Sequence, residues 1–135
     1  MTLPFALHPN LEKKLFVVDL PLSRVLLEDE RHYPWLMLVP RRENVSRLID
    51  LAMSDQLQLL QELDLAQKAL WQLFQPTQLN VAQIGNKTSQ LHIHVIARFS
   101  DDPAWPATVW DHPVRSCYPA EQKELILATI RKELS

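Results

Sequence analysis

Polar and apolar residues alternate without a break from Gln90 to Val95, the period of two that marks a half-buried strand. The pattern predicts a strand running on to about residue 99, with Gln90, His92 and His94 on one face and Leu91, Ile93 and Val95 on the other. Residues 14–20 read as a strand ended by Pro21, and residues 24–28 as its hairpin partner. Residues 35–39 form a continuous apolar strand stopped by Pro40. Residues 78–84 read as the next strand, joined by a turn at Gly85-Asn86-Lys87 to the histidine strand, so the two are expected to pair antiparallel.

Helical spacing is clearest over residues 54–75. Ser54 suits the N-cap, and Leu60, Leu63, Leu70, Leu73 and Phe74 make the apolar face. Asp64 and Lys68 are placed to pair outside, and Pro76 stops the helix. A shorter helical piece is expected over residues 45–51. Residues 100–117, rich in proline and tryptophan, read as irregular. A last amphipathic helix begins near Pro119, in its first turn, and buries Ile126, Leu127, Ile130 and Leu134. Strands, a long helix and more strands predict an α+β class built on an antiparallel sheet.

Composition narrows the chemistry mainly by exclusion. A chain of 135 residues with 47% hydrophobic and 22% charged residues is expected to make one core. Its formal net charge of −2 offers no general attraction to nucleic acid. Gly85 is the only glycine, which excludes a Walker loop and a dinucleotide-binding Rossmann turn. Cys117 is the only cysteine, which excludes an intrachain disulfide and a cysteine-zinc site. The residues after Met1 lack the basic start and longer apolar core of a secretory leader, and no run is long enough for a bilayer span. A cytoplasmic setting without a membrane partner is therefore expected.

Two of the five histidines on one strand face admit three readings. The face can simply be solvated. His92 and His94 can form half of a metal site, which would need His8, His32 or His112 as well. Or an imidazole can attack phosphorus while its neighbours hold the phosphate oxygens.

Gln90-Leu91-His92-Ile93-His94-Val95-Ile96 resembles the His-φ-His-φ-His-φ-φ motif of the histidine-triad (HIT) superfamily, with Gln90 in place of the first histidine. Asn80 stands where family members carry an asparagine in the preceding strand. Residues 25–40 resemble the family's strand, acidic or amide residue, proline-containing loop and Leu-Val-x-Pro strand. Residues 101–110 resemble the tail of bacterial HIT hydrolase-like proteins. The likeness covers about residues 10–110, so residues 1–110 are read as a HIT-like nucleotide-binding domain. Residues 111–135 are read as a C-terminal extension whose helix packs on it.

That resemblance implies a five-stranded antiparallel sheet, a homodimer with joined sheets, and a nucleotide or dinucleotide as partner. It implies hydrolysis or transfer at an α-phosphate through a nucleotidyl-histidine. His92 matches the nucleophile, and His94 the histidine that contacts a phosphate oxygen, expected to act when protonated. Asp29 matches the ribose-holding residue; Asn80 and Asn86 match polar positions near the phosphates. No resident cofactor or metal is implied, although a divalent cation can accompany the substrate. Gln90 is the departure, because an amide cannot deliver a proton to a leaving group. The alternative is therefore a weak or inactive nucleotide-binding module.

Among the remaining residues, Arg41-Arg42 reads as a solvated turn in preference to a polyphosphate contact, and Lys87 is a weak phosphate candidate. Trp105 and Trp110 are candidates either to stack on a base or to pack the tail onto the sheet.

Overall fold

The apolar run at residues 35–39 becomes β3 (Trp35–Pro40), and all six of its residues are buried. It is the middle strand of a sheet that also contains β1 (Leu15–Asp19), β2 (Ser23–Leu27), β4 (Gln78–Gln83) and β5 (Ile93–Arg98), in the order β1-β2-β3-β5-β4. Every neighbouring pair is antiparallel. The helices are α1 (Pro9–Glu12), α2 (Met53–Phe74) and α3 (Ala120–Leu134), so the chain has the expected α+β class. The computed structural model describes residues 5–135; the part of the leader reading that rests on residues 1–4 lies outside the described residues. No helix among the described residues is long and apolar enough to cross a membrane.

Directly opposed residues of antiparallel strands share a face, and this sorts the sheet into two sides. Leu36 opposes Val95 and Leu27, and these pack with Leu70 of α2 and Ile130 of α3 into the main core. Met37 opposes His94, and Trp35 opposes Ile96, on the other side. There Leu11, Tyr33, Ala104 and Val109 complete a smaller cluster. The helices thus cover one face, and the chemistry occupies the other.

Several boundaries differ from the sequence expectations for identifiable reasons. The histidine strand enters the sheet at Ile93 rather than Gln90, because the Leu91 amide donates to the Val45 carbonyl, outside the β-ladder. α2 is capped by Ala52 without a side-chain bond, and Ser54 lies inside the first turn. Its start is fixed instead by Arg42 gripping Asp55, at 2.8 and 3.0 Å. The buried stripe of α2 runs through Leu59, Glu62, Ala66, Ala69 and Leu70, whereas Leu60 is 63% exposed. One position along a helix is a rotation of about 100°, enough to carry Leu60 off the core. Residues 45–51 hold only a 3₁₀ turn, Leu48–Asp50. Pro119 is the N-cap of α3 rather than part of its first turn. A second 3₁₀ turn, Val109–Asp111, lies within the stretch read as irregular.

Glu62 is a buried carboxylate with a clear task. Its oxygens accept the amide N–H groups of Leu22 (2.7 Å) and Ser23 (2.9 Å), which close the β1–β2 hairpin, and Gln58 donates to it as well. Replacing Glu62 with Ala leaves two buried amides unpaired and should cost about 3 kcal/mol in urea denaturation. A loss below about 0.5 kcal/mol, the usual surface value, would contradict this role.

Candidate active site

His92 and His94 project to the same side, with ring centroids 5.0 Å apart at 78°. They are only 6% and 7% exposed. Their proton positions follow from their partners. Nδ1 of His92 lies 2.7 Å from the Gln90 carbonyl oxygen, which can only accept. Nδ1 of His92 therefore carries the hydrogen, and Nε2 keeps a lone pair. His94 has the opposite arrangement. Its Nδ1 receives the Trp35 indole N–H at 2.9 Å, and an indole can only donate. Nδ1 of His94 is the lone-pair nitrogen, so Nε2 bears the hydrogen.

Burial, reinforced by the adjacent His92 ring, which cannot share a second positive charge, and by the Lys14 cation, pushes His94 down to about 3. His94 is thus a neutral hydrogen-bond donor near pH 7. This corrects the expectation that it acts as an imidazolium. A proton on its Nδ1 would meet the indole N–H head-on in a poorly hydrated place.

Both imidazoles line a recess of about 520 Å³. Lys14, Lys87 and Arg115 contribute cationic side chains, and Glu28 the one carboxylate. Lys14 pairs with Glu28 at 2.6 Å. Arg115 lies over the Trp35 ring, 5.2 Å from its centroid, and donates to the His112 carbonyl. Trp110 sets its indole edge-on to His94, with centroids 5.0 Å apart, while remaining 40% exposed. The result is a cationic, aromatic-walled recess with a lone-pair nitrogen and an N–H donor side by side. It has the size and charge for a phosphate joined to a flat polar group.

The other sequence candidates are distributed unevenly. Asn86 lines the recess. Gln90 does not: its amide accepts from the His8 N–H and donates to the Ala6 carbonyl. Asp29 accepts from the Tyr118 N–H and pairs with Lys123 at 2.8 Å. Burial opposes ionisation of Asp29, but Lys123 and the Tyr118 amide outweigh it and hold the carboxyl below its usual value. Its carboxylate ties down α3, and Glu28 is the acid that faces the recess. Asn80 shares the histidine face but gives its carbonyl oxygen to Arg98 at 2.9 Å. Arg98 in turn is fully buried against Asp102 and lies over the Trp105 ring, which assigns Trp105 to tail packing. Arg41 and Arg42 are held by Asp19 and Asp55. His32 pairs with Glu30, and His8 caps the Asn10 amide. Among the described residues, no three histidine, cysteine or acidic side chains gather as a metal site.

Sequence reasoning missed Trp35, Arg115 and the Lys14–Glu28 pair. Trp35 carried a usable signal, because a buried indole N–H needs an acceptor. Arg115 carried none; only the fold of residues 100–117 brings it back over β3.

Comparison with known proteins gives a consistent picture. A family model described as the HIT domain matches residues 10–101. The crystal structure of a histidine triad protein from Bradyrhizobium japonicum is similar at a TM-score of 0.94 and 37% identity, over 98% of this chain and 99% of that one. A histidine triad (HIT) protein from Sinorhizobium meliloti reaches 0.92 at 34% identity, over 96% and 97% of the two chains. A histidine triad protein from Marinobacter aquaeolei reaches 0.92 at 33%, over 97% and 96%. No curated protein matches the chain.

The depressed His94 value has two measurable consequences. An unfolded histidine takes up a proton near pH 6.5 whereas folded His94 does not until about 3. Its contribution to stability is therefore present above about pH 6.5 and is lost progressively as pH falls toward 3. In an NMR titration His94 should stay neutral down to pH 4, and Trp35→Phe, which removes the donor to the neutral form, should raise its pKa. A His94 titrating near the free-histidine value in the unaltered protein would contradict the assignment.

Proposed function

Because this chain belongs to the histidine-triad family, we propose that it is a nucleotide hydrolase or nucleotidyl transferase acting at an α-phosphate, with His92 as the nucleophile. The observation that carries this reading is the pairing of opposite tautomers: a lone pair on His92 Nε2 beside a hydrogen on His94 Nε2, in a recess lined by Lys14, Lys87 and Arg115.

In the proposed reaction, the Nε2 lone pair of His92 forms a bond to phosphorus, and the bond from phosphorus to the leaving oxygen breaks with its electron pair. The ring becomes cationic, and its Nδ1–H continues to donate to the Gln90 carbonyl, which stabilises the charge. His94 donates from Nε2 to a non-bridging phosphoryl oxygen and, being neutral, needs no proton from solution. Water, or another acceptor with a hydroxyl group, then attacks phosphorus and releases its proton to solvent. His92 leaves with its electron pair and is again neutral. Glu28 and Asn86 are the polar groups available to the sugar and phosphates, and Trp110 offers its exposed indole to a base.

Neither motif partner of His92 can protonate the leaving group, since Gln90 is turned away and His94 is held neutral. This favours substrates whose leaving group departs as a stable anion, such as a phosphate within an anhydride, and thus dinucleoside polyphosphates over phosphoramidates.

The proposed assembly is a homodimer. β4 is an edge strand with unpaired backbone groups, and beside it the outer face of α2 exposes apolar area, with Val81 at 44% and Trp71 at 51%. Such an edge invites pairing with a second copy. Sedimentation should find a dimer that Val81→Lys converts largely to monomer; a monomeric unaltered protein would reject this assembly.

Rapid quenching with a dinucleoside polyphosphate, followed by mass spectrometry, should find a nucleotidyl group on His92. His92→Ala should lose the adduct and slow turnover by at least about 10³-fold. Nucleotide binding without an adduct would instead establish a binding module, and unchanged turnover in His92→Ala would reject the assignment.

A further inference from the structure

We infer that Gln90 is a positioning residue: its side-chain amide clasps the N-terminal segment so that its own backbone carbonyl holds the His92 tautomer. The inference rests on the reading of His92 as nucleophile.

The clasp has two points. Gln90 Oε1 accepts from the His8 amide at 2.7 Å, and Nε2 donates to the Ala6 carbonyl at 3.0 Å. Both partners are backbone groups with a single hydrogen-bonding role, so the orientation of the amide is fixed. The C=O of residue 6 and the N–H of residue 8 flank Leu7, and they are the pair a neighbouring parallel strand would engage. The side-chain amide of Gln90 therefore stands in for a strand partner. This happens where the Gln90 backbone has not yet entered β5.

The clasped segment is part of the site. Immediately after it, His8 caps α1 through the Asn10 amide, and Asn10 Nδ2 donates to Thr88 Oγ1 at 3.0 Å. Asn10, Leu11 and Lys14 line the recess, as does Thr88 of the loop that leads to Gln90. Gln90 thus links these residues to the one carbonyl that sets the His92 proton. The peptide unit that carries the Gln90 carbonyl is anchored on one side by the Leu91 N–H, which donates to the Val45 carbonyl. The clasp restrains residue 90 from the other side. Without it the unit can pivot about the Val45 bond and carry the carbonyl away from Nδ1.

This accounts for glutamine at the first motif position. The donor and acceptor nitrogens of a neutral imidazole point to different sides of the ring, so a histidine at position 90 cannot meet the Ala6 carbonyl and the His8 N–H together. A primary amide presents both on one edge. The substitution therefore exchanges a potential proton donor for a clamp.

The test reads the tautomer directly. Long-range ¹H–¹⁵N spectra of histidine-labelled full-length protein should show Nδ1–H on His92. Gln90→Leu and Gln90→His should each shift His92 to a mixture of tautomers, with the melting transition still cooperative. His8→Pro removes the amide hydrogen at a residue whose φ of −54° suits proline, and it should have the same effect. His8→Ala, which keeps that amide, should not. Combining Gln90→Leu with His8→Pro should add little to either alone. Where turnover is measured, Gln90→Leu should lower kcat on the order of tenfold to hundredfold. His92 signals unchanged in both Gln90→Leu and His8→Pro would overturn the clasp. So would strictly additive effects. The spectra need no substrate, so an inactive protein with the predicted tautomers would reject the nucleophile assignment and leave the clasp standing.

Discussion

The hydrogen bond from the Trp35 indole to Nδ1 of His94, and its counterpart from Nδ1 of His92 to the Gln90 carbonyl, fix two protons on opposite sides of two adjacent rings. Much of the recess exists to hold those two contacts. Trp35 can donate to His94 because β3 and β5 are registered with Met37 opposite His94, which sets Trp35 on the same face. The Trp35 ring is held in turn by Trp110 at its edge and Arg115 over its face. A one-residue slip of β5 against β3 would send His94 to the helical side and leave the Trp35 indole without its acceptor.

The division of the sheet into a helical face and a chemical face explains where charge is tolerated. On the helical side the buried polar side chains are local braces, such as Glu62 closing the β1–β2 hairpin. On the other side Arg98 and Asp102 form a buried pair, and Asp102 also accepts the amides of Phe99, Ala104 and Trp105. That carboxylate organises the start of the tail that later brings Trp110 and Arg115 over the histidines. Removing one member of such a pair is usually more damaging than replacing both. The tail is therefore structurally committed to the site, although it contributes no strand to the sheet.

How far the sequence speaks depends on whether the signal is local. The alternation through residues 90–95 placed His92 and His94 on one face, because side-chain period follows directly from strand geometry. The apolar run at residues 35–39 marked a strand, and the structure buries it on both faces. Leu60 shows the limit: leucines crowd α2, and only the packing of its neighbours decides that Leu59 turns inward. Asp29 and Glu28 are adjacent in sequence and equally acidic, yet their fates differ, because Lys123, ninety-odd positions away, draws Asp29 toward α3. Gln90 lies on the histidine pattern but outside the ladder, since the Val45 carbonyl takes the Leu91 amide. Each of these outcomes depends on a partner distant in the chain.

Neutron diffraction from a deuterium-exchanged crystal at neutral pH would test the central claim most directly, because it locates the ring protons themselves. The account predicts deuterium on Nδ1 but not Nε2 of His92, and on Nε2 but not Nδ1 of His94. Deuterium on Nε2 of His92, or on both nitrogens of His94, would contradict it.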